Sequence, residues 1–186
     1  MPQKKRQHYV PRFCLKNFSI GKQGKRIGLY NIRTSRFVAS AKLKTQACQN
    51  YFYGTGTTIE DALQAIEDRA AGIIAEILRT GTLPTRLSAE HYALLVFVLF
   101  QHSRTMYAVE ETNEMTDKSA KTVLSGDPRV SSDLDKVRIG LTKPVLLALG
   151  SAGMAVPVAF DLEYPLLIKS PLKKGSGILA ERACYT

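Results

Sequence analysis

Between Thr57 and Thr80 apolar residues recur every three or four positions, with Ile59, Leu63, Ile66, Ala70, Ile73, Ile74 and Ile77 on one stripe. That is the period of an α-helix with one buried face. Thr57 with Glu60 three residues later has the form of an N-terminal cap, and Gly81 followed by Pro84 ends the run. A second helix is predicted from Ser88 to about Tyr107, buried through Leu95, Val96 and Leu99, and the short connection makes the two antiparallel neighbours. A weaker helical pattern covers residues 109–124 and stops at Ser125-Gly126-Asp127-Pro128. Asp133 to Leu149 is helical in character, with Pro144 kinking or dividing it.

Upstream of Thr57 the period shortens. Ile27 to Ile32 and Phe37 to Ser40, separated by Arg33-Thr34-Ser35-Arg36, predict a short antiparallel hairpin. Tyr51-Phe52-Tyr53 reads as a further strand. His8 to Phe18, which contains Pro11 and interleaves apolar with basic residues, reads as an edge-like extended segment that packs Tyr9, Phe13 and Phe18. After Gly150 no period is clear, and Val156 to Phe160 and Leu166 to Ile168 are candidate strands. The fold class is therefore α+β: a basic N-terminal segment with a small β-hairpin, packed on an antiparallel helical core, with short strands near the C-terminus. With 186 residues, 45% of them apolar, one core is the expectation. Residues 1–186 read as one domain with a basic β part (1–56), a helical core (57–124), a helix with short strands (125–174) and a poorly packed tail (175–186).

Charge changes this picture most. Of 26 Lys and Arg, twelve precede the first acidic residue, Glu60; the remaining fourteen face all sixteen Asp and Glu, so the +10 of the chain divides into +12 and −2. An acid-free basic segment attracts phosphates and points to nucleic acid or another polyanion as partner. Lys4, Lys5, Arg6, Arg12, Lys16, Lys25, Arg26, Arg33 and Arg36 are the candidate contacts, expected on one face. Tyr9, Phe13, Phe18, Tyr30 and Phe37 are interleaved with them, as a base-stacking surface requires. The plainer account puts these aromatics in the core and the charges on a solvated face, although such faces usually mix both signs.

Other features exclude more than they assign. The most apolar run, Tyr92 to Phe100, has nine residues where a bilayer crossing needs about 20. No apolar stretch of a secretory signal precedes Gln7. Cys14, Cys48 and Cys184 are odd in number and widely spaced, which argues for reduced cytoplasmic thiols and against a disulfide framework or structural zinc. No membrane partner, metal or cofactor is expected, and the oligomeric state is left open. Gly54-Thr55-Gly56-Thr57 before a helix has the outline of a phosphate cradle, but Glu60 and Asp61 already satisfy the positive end of that helix.

A catalytic constellation is assembled from scattered residues. His8 to Pro11 ahead of a hairpin follows the order of a ββα-metal nuclease, yet residues 57–80 contain neither the Asn nor the His such a site needs. Glu67 lies beside the apolar stripe, while Gln101 and Arg104 follow directly on an apolar run, where a charge must find a partner. From a connection near residue 84, position 67 is 84 − 67 = 17 residues back and position 104 is 104 − 84 = 20 forward, hence at similar height. Glu67 and Arg104 are predicted to meet as an ion pair, with Gln101 and His8 completing a polar cluster. His8, Glu67, Gln101 and Arg104 are the catalytic candidates, as acid–base and phosphate-holding groups, and a purely structural network is the alternative.

QHYVPRFCLKNFS, a basic hairpin, NYFYG, IEDALQAIEDRAA and LVFVLFQHSRT, in that order, resemble the bacterial family called domain of unknown function 4238 over about residues 3 to 108. The resemblance implies recurring positions at His8, Tyr9, Pro11, Phe13, Leu15, Phe18, Tyr53, Glu60, Glu67, Gln101 and Arg104, and no established activity. It also implies a longer C-terminal region with a Ser-Asp-x-Pro motif where this chain has Gly175 to Thr186, so the chain reads as a truncated copy lacking that aspartate. Three functions stay open: a nucleic-acid or polyanion binding module, a fragment of a phosphodiester-cleaving enzyme, and a structural or regulatory protein-interaction domain.

Overall fold

The computed structural model describes residues 5–21, 23–160 and 162. The N-terminal part runs β1 (Arg6–His8), α1 (Arg12–Lys16), β2 (Ser19–Ile20), β3 (Arg26–Asn31), β4 (Arg36–Lys42), a 3-10 turn at Leu43–Thr45, and β5 (Cys48–Asn50). The helical part follows as α2 (Thr58–Thr80), α3 (Ala89–Ser103), α4 (Met106–Leu124), a 3-10 turn at Ser131–Lys136, and α5 (Pro144–Ala159). Two small antiparallel sheets, β1-β5 and β2-β3-β4, sit beside this helical core, and the fold is α+β.

The hairpin of β3 and β4 forms where the alternating runs placed it. Asn31 closes its loop by accepting from the Thr34 N–H at 3.0 Å, and Ser35 takes the left-handed conformation at φ 50°. Pro11 corrects the extended reading of His8 to Phe18: only Arg6–His8 is strand, and the proline, with φ already near −58°, starts the short helix α1. That turn carries Phe13 inward, where its ring lies 5.6 Å from that of Phe97. Tyr51 to Tyr53 is a turn rather than a strand, because Tyr51 has φ 54° and cannot continue the ladder of β5.

Helix α2 ends as expected on Gly81 in the left-handed conformation. Its start differs: Thr57 is already helical and its hydroxyl makes no capping bond. Leu94 and Phe97 of α3 pack with Ala70 and with Ile66, Ile73, Ile74 and Ile77 of α2, and the chain doubles back through residues 81–88. A second cluster joins Tyr53 and Leu63 to Val145 and Leu149 of α5, with Phe52, Ile59, Phe100 and Val109 around it.

The run expected to continue to Tyr107 breaks after Ser103, because Thr105 caps a new helix through its hydroxyl, which accepts from the Ala108 N–H at 3.1 Å. Pro144 neither kinks nor divides a helix but begins α5, the position its fixed φ suits. Val156 to Phe160 is not a strand: α5 runs to Ala159 and buries Val156 and Ala159, so packing against α3 and α4 overrides the β-branched composition. Leu166 to Ile168, the tail 175–186 and the truncation it suggested lie outside the described residues. Cys14 and Cys48 are not joined in a disulfide, and among the described residues no helix is long and apolar enough to cross a membrane.

Candidate functional site

Two side-chain assemblies stand out, one buried and one open. The buried one is centred on Arg104, which ends α3 and is only 2% exposed. Its Nη1 meets Glu67 Oε1 at 2.6 Å, and its Nε and Nη2 both donate to Gln101 Oε1, at 3.0 and 2.7 Å. Gln101 in turn donates from Nε2 to the carbonyl of Tyr9 at 3.0 Å. The Tyr53 hydroxyl donates to the carbonyl of His8 at 3.1 Å. Burial pushes that hydroxyl up to about 12, against the opposing pull of Arg104, so it remains a donor at any physiological pH.

Gln7, 1% exposed, extends the network from the middle of β1. Its Nε2 donates to the Gly54 carbonyl at 3.1 Å and its Oε1 accepts from the Tyr53 N–H at 2.7 Å. Glu67 on α2, Gln101 and Arg104 on α3, β1 and the turn after β5 are thus tied into one clamp. His8 is drawn in electrostatically: burial lowers its pKa, Arg12 and Arg6 act in the same sense, and a hydrogen bond to the Lys44 backbone and the charge of Glu67 oppose it. Its buried Nε2 has no hydrogen-bond partner among the described residues. An unpaired charge at the depth of Arg104 costs several kcal/mol, and here Glu67 and Gln101 remove that cost.

The open assembly is a groove of about 810 Å³ between α1, the β2-β3 turn and the end of β4. Arg12, Lys16, Lys25, Arg26, Lys42 and Lys44 line it, and none of its eleven lining residues is acidic. Helix α1 sets Arg12 and Lys16 one turn apart, and the 3-10 turn at Leu43–Thr45 packs against α1 so that Lys44 faces them across the groove. Lys5 and Arg6 at β1, and Arg33 and Arg36 at the hairpin tip, do not line it. Lys4 lies outside the described residues. The aromatic residues divide: the rings of Tyr9 and Phe13 pack on Phe52 and Phe97, whereas Phe18, Tyr30 and Phe37 are exposed.

Residues 6–137, which include every element of the clamp and the groove, match the family described as protein of unknown function (DUF4238). The chain belongs to this family. No curated protein and no solved structure matches it.

In this DUF4238 member, sequence reasoning named Glu67, Gln101, Arg104 and His8 but not Gln7 or Tyr53 as partners in the same network. Their signal was positional only: Gln7 opens the QHYVPRF string and Tyr53 lies in NYFYG. Lys42 and Lys44 were also missed as groove residues, although both belong to the acid-free run. Among the described residues no group of three or more His, Cys, Asp or Glu is arranged to hold a metal ion.

Proposed function

We propose that the protein binds nucleic acid or a comparable polyanion through the cationic groove of its N-terminal part. One observation carries this reading: six of the eleven groove-lining residues are Lys or Arg and none is acidic. Phosphates entering such a groove release condensed counterions, so affinity must fall steeply with salt. Anisotropy titrations of a labelled oligonucleotide should show about a thousandfold loss between about 50 and 200 mM salt if all six cations engage. Lys25→Glu with Lys42→Glu should weaken binding and flatten that slope. Binding that ignores salt, or no binding at low salt, refutes the reading.

A second reading, phosphodiester cleavage by His8, Glu67, Gln101 and Arg104, is favoured by the unpartnered Nε2 of His8 and by the lowered pKa that keeps this imidazole neutral, and so able to accept a proton, near pH 7. It requires Arg104 to exchange its present partners for a phosphate, although that side chain is 2% exposed and engaged by Glu67 and Gln101. Cleavage assays with and without divalent metal, repeated on Glu67→Gln, separate the roles. Activity lost at retained stability makes Glu67 catalytic, and stability lost alone makes the clamp architecture.

A further inference from the structure

Directly opposed residues of an antiparallel pair share one face of the sheet. In the three-stranded sheet Ile20 is opposite Arg26, Arg26 is opposite Lys42, and Tyr30 is opposite Phe37. Gly28 lies on the same face, for a Cβ built there would stand 3.7 Å from Ile20 Cδ1 and 3.8 Å from the Phe37 ring. This face is open: Ile20, Tyr30 and Phe37 are 50%, 51% and 64% exposed, whereas Ile27, from the opposite face, is 7% exposed. One strip of sheet therefore carries two cations at one end, Gly28 overhung by Ile20 and Phe37 in the middle, and an aromatic pair at the other. Arg26 and Tyr30 are four strand residues apart, about 13 Å. Arg26, Lys42 and Ile20 also line the cationic groove, so groove and aromatic pair form one continuous surface.

We infer that the ligand of this surface is single-stranded nucleic acid, with bases stacked on Tyr30 and Phe37 and its backbone led into the groove by Arg26 and Lys42; the inference rests on the polyanion reading proposed above. Charge complementarity selects a phosphate-bearing partner. The aromatic pair then selects among such partners, because bases in a single strand offer their π-faces while those in a duplex are already stacked on one another. A duplex can use only the groove. Ile20 and the Phe37 ring close over Gly28, so the side chain of Ile20 bridges the cationic end of the strip to its aromatic end.

The experiment compares single-stranded and duplex oligonucleotides of equal length by anisotropy at matched salt. The wild-type protein should prefer the single strand. Tyr30→Ala with Phe37→Ala should lose roughly tenfold or more of single-strand affinity per ring and leave duplex affinity and its salt slope unchanged. Both side chains are exposed, and the unchanged duplex arm reports that the variant is folded. Phe37→Trp adds a direct readout, since the chain has no Trp: its emission should be quenched by the single strand but not by the duplex.

Undiminished single-strand binding by the alanine variant, or Trp emission indifferent to the oligonucleotide, overturns the inference while the groove reading stands, and leaves the aromatic face to a protein partner. If Lys25→Glu with Lys42→Glu leaves all binding intact, or the wild-type protein binds neither nucleic acid, the groove reading fails and the inference falls with it.

Discussion

Arg104 and Glu67 form an unequal pair, and the inequality predicts which substitution hurts more. The arginine is 2% exposed, whereas the glutamate keeps a quarter of its side chain in solvent. Glu67→Gln strands a buried cation and should cost about 3 kcal/mol, the lower end for a broken buried ion pair. Arg104→Met keeps most of the buried stem and frees a glutamate that can turn to water, so it should cost less, about 1–2 kcal/mol from the bonds lost at Gln101. Urea unfolding of the two variants checks the order, and the reverse order would mean that stem packing outweighs charge. His8 gives a second residue-scale expectation. Its folded pKa lies below the unfolded value of about 6.5, so the unfolded state binds more protons in that interval. Stability present at pH 7.5 is lost as pH falls through 6.5 toward the folded pKa, and the melting temperature of His8→Asn should fall less between pH 7.5 and 5.5. Equal slopes for variant and parent would remove His8 as the source. The meeting of Glu67 and Arg104 was legible because helical rise fixes heights on two antiparallel helices. Gln7 and Tyr53 were not, because their bonds join side chain to backbone across 45 to 47 residues and leave no periodic trace.

A side-chain cap closes the starts of α3 and α4 but not that of α2, the one start where a capping motif was expected. Ser88 Oγ accepts from the His91 N–H at 3.1 Å and Thr105 Oγ1 accepts from the Ala108 N–H at 3.1 Å, both from extended backbone. Thr57 has the same side chain as Thr105, but at φ −95° and ψ −16° it makes no such bond. Ser88→Ala and Thr105→Ala should each cost about 1 kcal/mol, and Thr57→Ala close to nothing. Chemical denaturation of the three single variants tests this, and a cost at Thr57 equal to the others would show that the motif caps after all. The start and end of α2 were readable because one stripe and one glycine mark them. The division between α3 and α4 was hidden inside a helix-compatible run, since nothing in Arg104-Thr105 breaks a helix by composition. What breaks it is tertiary: Arg104 turns into the clamp, and Thr105 restarts the backbone bonds. Val156 to Phe160 failed for the reverse reason, its β-branched residues being held helical by the neighbouring helices.

At the scale of the molecule, the division into +12 and −2 sets binding against stability. Six cations around one groove repel one another whenever no polyanion lies between them, and none of the residues lining it offsets that repulsion. Charges in the clamp do the opposite work, since each neutralises its neighbour. Lys25, Lys42 and Lys44 are exposed, so replacing all three by Gln removes repulsion and little packing. The triple variant should melt about 1–2 °C higher than the parent at low salt, and the gain should vanish near 1 M salt, where screening acts within about 3 Å. The same variant should bind oligonucleotide more weakly. This pairing of signs distinguishes a surface kept cationic for a ligand from one that is basic by accident of composition. If the triple variant melts lower at every salt concentration, the lysine stems hold the hairpin against α1, and the groove owes its charge to architecture rather than to a partner.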